Sequence, residues 1–521
     1  MRETKKQTMA LASFLPDVEP LVFAIFFGAL ALLATFYHNL TNRPAFPKNA
    51  PKLTSIAWPI VGSHQFFTNR WEFYQAAKAG SKTGNFSFYA GQHPVVGVSG
   101  QEARKIFFDT PVKELGFSEG YAALLGGTPE VKREGGPAKS SLEDNSFTGY
   151  FHKRLINLVK GNRLKNGLSQ LMKDARANFD NLAADPTRRT DPFESVYRLV
   201  FQFTMRTVAC NEIADDPVVL AKCLEYFEMI ESTATPFSIM YPWLPSPAKV
   251  KRTWGGAQLY MIFKRIVDAR HAEGRREDDG LQYLMDQGDN VTDIITFVLG
   301  ALFAGQLNSG INAAWTLIYM INKPEWIPRA RKEVTAMAAR HCEDTSLPLK
   351  DQLLHVPIEA WENELPLVDL FLKDSIRLQT MGAAFRKNVS GRPIPIPQTD
   401  GEVIPNNSYV AWHIGDLHYN PDVYTNPDEW DPSRYMEGRQ EDKQFQFAWI
   451  GWGVGRHPCL GRRFAELENN LIVAFFLAYF DDLKLTDAAG KERGLPRCDR
   501  NNPSAKKPLE QVWIQHRNAE V

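Results

Sequence analysis

The sequence is poor in cysteine, has no net charge and shows no repetition. Its 521 residues include five cysteines, Cys210, Cys223, Cys342, Cys459 and Cys498, scattered and odd in number, with no Cys-x-x-Cys pair. That usage excludes a disulfide framework and a structural zinc site, and it fits a reducing compartment. The 60 Lys and Arg are balanced by 60 Asp and Glu, so there is no basic surplus to attract nucleic acid. No internal repeat, low-complexity tract or Gly/Ser linker follows the first fifty residues, so one large fold is expected rather than an array. A hydrophobic content of 44% is ample for the core of such a fold.

One charge-free apolar run stands out, from Pro20 to Tyr37. As a helix it spans roughly 27 Å, close to a bilayer core of about 30 Å. No small-x-small cleavage site follows it, which favours an uncleaved anchor over a signal peptide. Arg2, Lys5 and Lys6 precede the run, while Arg43, Lys48 and Lys52 follow it, so flanking charge leaves the orientation open. The expected division is an N-terminal segment over 1–19, a transmembrane anchor over 20–38 and a single domain over 39–521. Within that domain, helical periodicity appears over 150–182, 192–210, 218–233, 253–273, 290–320, 325–340 and 369–379. Proline-punctuated extended pieces cover 385–397 and 402–410. The fold class expected is mainly α with small β regions. The polar Gly- and Ser-rich stretch 126–147 reads as a loop.

The most informative segment is Phe447-Ala448-Trp449-Ile450-Gly451-Trp452-Gly453-Val454-Gly455-Arg456-His457-Pro458-Cys459-Leu460-Gly461. It sets one cysteine after a glycine-broken turn and before a long apolar helix. Helix N-terminal N–H groups and the dipole favour a negative sulfur at Cys459. Gly453 and Gly455 permit a tight turn and carry no side chain to block a flat ligand. These residues resemble the haem-binding loop of the cytochrome P450 family, Phe-x-x-Gly-x-x-x-Cys-x-Gly. Gly455, Cys459 and Gly461 fit that pattern, His457 stands where the family has Arg or His, and Trp452 stands where it usually has Phe. The resemblance implies a P450 fold after the anchor, with haem b held through an axial Cys459 thiolate.

Three further stretches agree with it. Asp374 and Arg377 share one helical face and resemble the family's Glu-x-x-Arg pair, with Asp for Glu. Arg434, in Trp430-Asp431-Pro432-Ser433-Arg434-Tyr435, resembles the arginine that completes this cluster. Arg386 follows Met381-Gly382-Ala383-Ala384-Phe385, where the family sets an arginine against a haem propionate; His457 and His152 are further propionate candidates. Leu302-Phe303-Ala304-Gly305-Gln306-Leu307-Asn308-Ser309-Gly310 resembles the oxygen-binding helix, usually Ala-Gly-x-(Asp/Glu)-Thr. Ala304 and Gly305 match; Leu307 and Asn308 replace the acid and the alcohol, and a leucine cannot relay a proton. Asn308 and Ser309 are the candidates for oxygen-side hydrogen bonding, and Phe303, Leu307, Met381, Ala383 and Ala384 for an apolar substrate pocket.

The resemblance implies a membrane-anchored monooxygenase of the endoplasmic reticulum, single-pass with a cytosolic catalytic domain. Electrons would come from NADPH-cytochrome P450 reductase, and the substrate would be a lipophilic small molecule. The Trp-Gly-x-Gly-x-His-Pro-Cys form resembles fungal members and implies secondary metabolite biosynthesis. The departure at Leu307 and Asn308 leaves open a reductase-independent isomerase or dehydratase acting on a peroxide. A non-catalytic haem sensor is disfavoured by the anchor.

Overall fold

The computed structural model describes residues 18–55, 58, 61–124, 147–159, 161–236, 238, 245–501 and 505–519. Residues 1–17 of the expected N-terminal segment 1–19 and residues 126–146 of the expected loop 126–147 lie outside them.

Helix α1, Val18–Thr41, carries the apolar run, and its large apolar side chains from Val22 to Leu33 and at Tyr37 stand exposed, Leu32 at 74%. It starts and ends slightly outside the expected span. The helices that position the site are α2 (Gly100–Asp109), α3 (Phe117–Leu124), α4 (Phe147–Val159), α5 (Asn162–Ala184), α6 (Pro192–Val208), α7 (Pro217–Glu231), α8 (Pro247–Glu273), α9 (Val291–Asn322), α10 (Pro366–Gln379) and α11 (Arg462–Tyr479). Their starts follow from sequence. Asp191, Asp216, Ser246 and Asn290 each accept a backbone N–H of the turn they cap, and Pro follows the first three at the first helical position. The expected single helix over 150–182 is two, broken at Gly161, whose φ of 70° an L side chain rarely adopts.

Helix α9 is apolar on nearly every side and buries residues along its whole length. Among the described residues it is also the helix long and apolar enough to cross a membrane, but half of its apolar window is buried inside the fold. It is therefore the core helix. It packs most extensively on α6, and also on α8, α10 and α11.

A five-stranded sheet stands beside these helices. Its strands are β1 (Phe86–Ala90), β2 (His93–Val98), β3 (Leu115–Gly116), β5 (Ala383–Asn388) and β8 (Tyr409–His413), in the order β1-β2-β8-β5-β3. Only β2 and β8 run parallel, with Val96 opposite Val410. Both faces are covered: Val410 and Trp412 pack into one hydrophobic cluster, Tyr409 and Ala411 into another. Strand β4 (Arg189–Thr190) joins β9 (Phe480–Thr486) and β10 (Trp513–Asn518), while β6 (Ile394–Pro395) pairs with β7 (Val403–Ile404).

Candidate functional site

The loop ahead of α11 is wound by its own backbone. Gly453 N–H donates to the Ile450 carbonyl at 2.8 Å, and Cys459 N–H to the Trp452 carbonyl at 2.7 Å. Gly453 and Gly455 take φ of 66° and 63°. A Cβ on Gly453 would collide with the His457 carbonyl oxygen, and one on Gly455 would come 2.7 Å from that of Phe108. The turn thus requires glycine at both positions. It leaves Cys459 exposed on the wall of a cavity of about 410 Å³.

That cavity is built from α4, α6, α9, α10, the loop and α11. Burial in the protein pushes the Cys459 thiol up, and the Gly461 and Arg462 backbone groups pull it back only in part. The N–H groups of Gly461 and Arg462, at the start of α11, favour a negative sulfur in the expected direction, against the desolvation of the site. Coordination to a metal ion deprotonates a thiol outright.

Ala304, Gly305, Asn308 and Ser309 of α9 line the same cavity, as do Trp452 and Gly461. A Cβ on Gly305 or Gly461 would meet nothing within 4 Å, so both glycines border the open space that a flat ligand requires. The Asn308 amide nitrogen donates to the Ala304 carbonyl at 2.9 Å. The Asn312 amide repeats this toward Asn308 at 2.9 Å, and the Thr316 hydroxyl toward Asn312 at 2.8 Å. This ladder of side chains onto carbonyls four residues back turns the Asn308 Oδ1 into the acceptor available to a ligand.

The five residues expected to form the substrate pocket are not in its lining. Phe303 and Leu307 lie one helical step round from Ala304 and Asn308; both are half-buried against the core, with the Phe303 ring 5.2 Å from that of Phe227 on α7. Met381, Ala383 and Ala384 are buried at the start of a strand covered on both faces. The apolar lining comes instead from Phe151, Leu155, Ala301, Leu372 and Ile376.

Arg386 is 2% exposed, its Nη1 donating to the adjacent Phe385 carbonyl at 2.8 Å and its guanidinium lying over the Phe107 and Phe117 rings. The His457 ring stacks on Phe117 at 5.0 Å. Burial pulls Arg386 down to about 10 and His457 down to about 4, the latter helped by the Arg386 and His152 charges. His152 itself lines the cavity. Three basic groups converge here, and the electrostatic partners of Arg386 and His457 include no carboxylate. Such a corner fits the two propionates of a haem, whose charges would otherwise be buried unpaired.

Asp374, Arg377 and Arg434 meet as expected, but behind the cavity wall. Asp374 and Arg377 are fully buried and 2.6 Å apart. Arg377 also donates to the His418, Pro427 and Glu429 carbonyls. Arg434 lies 3.8 Å from Asp374 and pairs with Glu441 at 3.1 Å, a member the sequence did not point to. Tyr435 Oη and Asp431 N–H both donate to Asp374 at 2.7 Å. The cluster does not touch the cavity itself; Leu372 and Ile376, on α10 with Asp374, and Thr380 just after that helix do. Sequence reasoning also missed Thr204, Asn312, Glu468 and Asn469 in the lining. Glu468 could have been noticed as an acid inside the apolar stretch that follows Cys459.

The Cytochrome P450 family model matches residues 51–492. Cytochrome P450 monooxygenase AacuE of Aspergillus aculeatus is 37% identical over 462 residues, covering 87% of this chain and 91% of its own length. Cytochrome P450 monooxygenase nsrP of Aspergillus novofumigatus is 36% identical over 467 residues, covering 87% and 88%. The solved structure "Retinoic acid bound cyanobacterial CYP120A1" superposes with a TM-score of 0.69 at 19% identity, covering 91% of this chain and all of that one, which shows the fold. A cysteine on the cavity wall, a family match over most of the length and relatives of this identity lead to one conclusion: the chain belongs to the cytochrome P450 family, the haem-thiolate monooxygenases.

Proposed function

We propose that this enzyme is a monooxygenase of the endoplasmic reticulum membrane that hydroxylates a lipophilic small molecule in fungal secondary metabolism. The observation that carries the reading is that Cys459 and the Ala304–Ser309 face of α9 line one cavity. The fungal relatives, named monooxygenases, support the reaction class and the setting. They also weigh against the peroxide isomerase.

Cys459 would hold the haem iron, and the haem, when bound, supplies the activation of dioxygen. Arg386, His457 and His152 would meet its carboxylates, while Trp452, Gly453 and Gly461 shape the loop against it. Asp374, Arg377 and Arg434 brace the segment that carries this loop. Ala304 and Gly305 let the backbone of α9 approach closely, and Asn308 and Ser309 would hydrogen-bond on the oxygen side. The lining of Phe151, Leu155, Ala301, Leu372 and Ile376 suits an apolar substrate. The exposed apolar surface of α1 supports a single-pass anchor ahead of a cytosolic domain over 39–521. Arg456, Arg462 and Arg463, flanking Cys459, would face an NADPH-cytochrome P450 reductase.

Membranes carrying the full chain and the reductase are expected to oxidise a lipophilic probe such as an ethoxycoumarin. The reaction should depend on both NADPH and dioxygen, with oxidation of the ethoxy carbon releasing hydroxycoumarin, acetaldehyde and water. Cys459→His should lose the thiolate-type absorption of the reduced carbon monoxide complex, because a neutral imidazole does not donate charge as a thiolate does. Peroxide rearrangement without NADPH would replace the reading with that of an isomerase.

A further inference from the structure

Away from the haem cavity, one buried cation has no counter-charge. Arg70 opens the helix Arg70–Ala79 and is 3% exposed, and its electrostatic partners include no carboxylate. Its Nε donates to the Phe66 carbonyl at 2.9 Å. The guanidinium carbon lies 4.6 Å from the centre of the Phe66 ring and 5.8 Å from that of Phe385. Nη1 has no partner among the described residues. Burial pulls the group down to about 10, opposed only by Tyr74. A cation–π contact returns about 0.5–2 kcal/mol, whereas taking an ion out of water costs several. The rings therefore do not replace an anion.

A second orphan donor belongs to the same corner. His413 ends β8 opposite Ala383, and Phe385, which Arg70 covers, stands two residues along that strand on the same face. His413 is fully buried, with the Trp71 and Tyr74 rings 5.3 and 5.2 Å away. Its Nδ1 accepts the Gly415 N–H at 3.1 Å, so the neutral ring carries its proton on Nε2. That N–H has no partner among the described residues. The Arg70 charge acts on this imidazole, which marks the two groups as neighbours. Met381 closes on them: a Cβ on Gly415 would come 2.9 Å from the Met381 methyl and the Trp71 ring, and 3.1 Å from His413. Buried orphan donors are rare and call for an explanation. A water oxygen accepts from both but brings no charge. A carboxylate has about four lone-pair sites, more than two donors satisfy. A monatomic anion takes both donors and neutralises the guanidinium.

We propose that Arg70 and His413 hold one small monovalent anion, with chloride as its occupant, and that this ion pins the helix Arg70–Ala79 to the sheet. The site adjoins the turn that joins α10 to β5. There the Ile414 N–H donates to the Gly382 carbonyl at 3.0 Å, and Thr380, the residue before Met381, lines the haem cavity. Loss of the ion leaves Arg70 unpaired beside that turn, so it should loosen the cavity wall and hasten haem loss. The proposal does not depend on the reaction the enzyme catalyses.

The test uses the haem-loaded full chain in detergent, with sodium chloride exchanged for sodium gluconate at constant ionic strength. Gluconate is too bulky for a site closed by rings. Thermal haem loss, followed by absorbance, should slow with chloride until it is about tenfold slower at ten times the ion's dissociation constant. Arg70→Met keeps the reach of the side chain without its charge and should lose the same haem at one rate in both salts. Arg70→Lys keeps the charge without the fork and should retain part of the chloride effect. Crystals grown in bromide should show one anomalous peak between Arg70 and His413, a readout that needs no variant. Equal rates in the two salts for the wild type overturn the proposal, and so does an undiminished chloride effect in Arg70→Met, which would be a general salt effect. A bromide crystal with no peak at this corner overturns it as well, leaving water as the partner of both donors.

Discussion

Removing the Arg377 guanidinium would strip Asp374 of its nearest ionic partner, leaving Arg434 at 3.8 Å, and free three backbone carbonyls at once. Breaking a buried pair from one side costs about 3–5 kcal/mol, because the remaining charge stays buried. Arg377→Ala should therefore fail to retain haem, read as haem per polypeptide after purification. Asp374→Glu should also destabilise, by about 1–3 kcal/mol, since a fully buried carboxylate bonded to Arg377, Tyr435 and Asp431 leaves no space for another methylene. Normal haem content and an unchanged denaturation midpoint in both variants would reduce the cluster to an ordinary i,i+3 pair. Residues of this kind were legible where their chemistry is contiguous in the chain, as around Cys459, or recurs at helical spacing, as in Asp374 and Arg377. Glu441 and Glu468 were not, because each gains its meaning from partners on other elements. Glu468 meets Thr204 and Ser309 only after three helices have packed together.

At the scale of elements, α1 and the body separate cleanly. Among the described residues, the first hydrogen bonds to the body are made by Arg43 and Pro44. Arg43 donates to the Trp58 carbonyl at 3.0 Å and lies over the Tyr89 ring, and the Tyr89 hydroxyl donates to the Pro44 carbonyl at 2.7 Å. Deleting the residues before Arg43 should give a folded, haem-loaded protein that no longer sediments wholly with membranes. Loss of haem on this truncation would make α1 part of the fold. Helices were legible as a class, since apolar periodicity and caps are local; the break at Gly161 was not, because periodicity continues across it. The hairpin of β1 and β2 went unread for a different reason. The run Val95-Val96-Gly97-Val98 is buried on both faces and shows no alternation, and its partner β8 lies far along the chain.

Across the whole molecule, the fold keeps three histidines neutral. His413, His418 and His516 are almost fully buried, and burial pulls them down to about 3, about 3 and about 4, helped by Arg70, Arg377 and Arg188 respectively. In the unfolded chain each would titrate near 6.5. A folded value below the unfolded one gives stability that is fully present above about pH 6.5 and lost as pH falls toward the folded value. Asp369 works the other way: burial pushes it up to about 6, so its contribution grows as pH falls through that value. From these four groups alone, between about pH 6 and pH 4 the unfolded chain binds a net excess of about two protons, a loss of about 3 kcal/mol per pH unit. Two such units approach the whole stability of a typical fold. The consequence reaches the site, because the Ile450 N–H, in the loop that carries Cys459, donates to His418 Nε2 at 3.4 Å, an acceptor that protonation removes. Haem release and unfolding should therefore begin together on acidification, followed by absorbance and tryptophan fluorescence. His418→Gln offers a neutral acceptor at every pH and should flatten the slope of stability against pH by about half of the net two protons. An unchanged slope in that variant would place the acid trigger elsewhere.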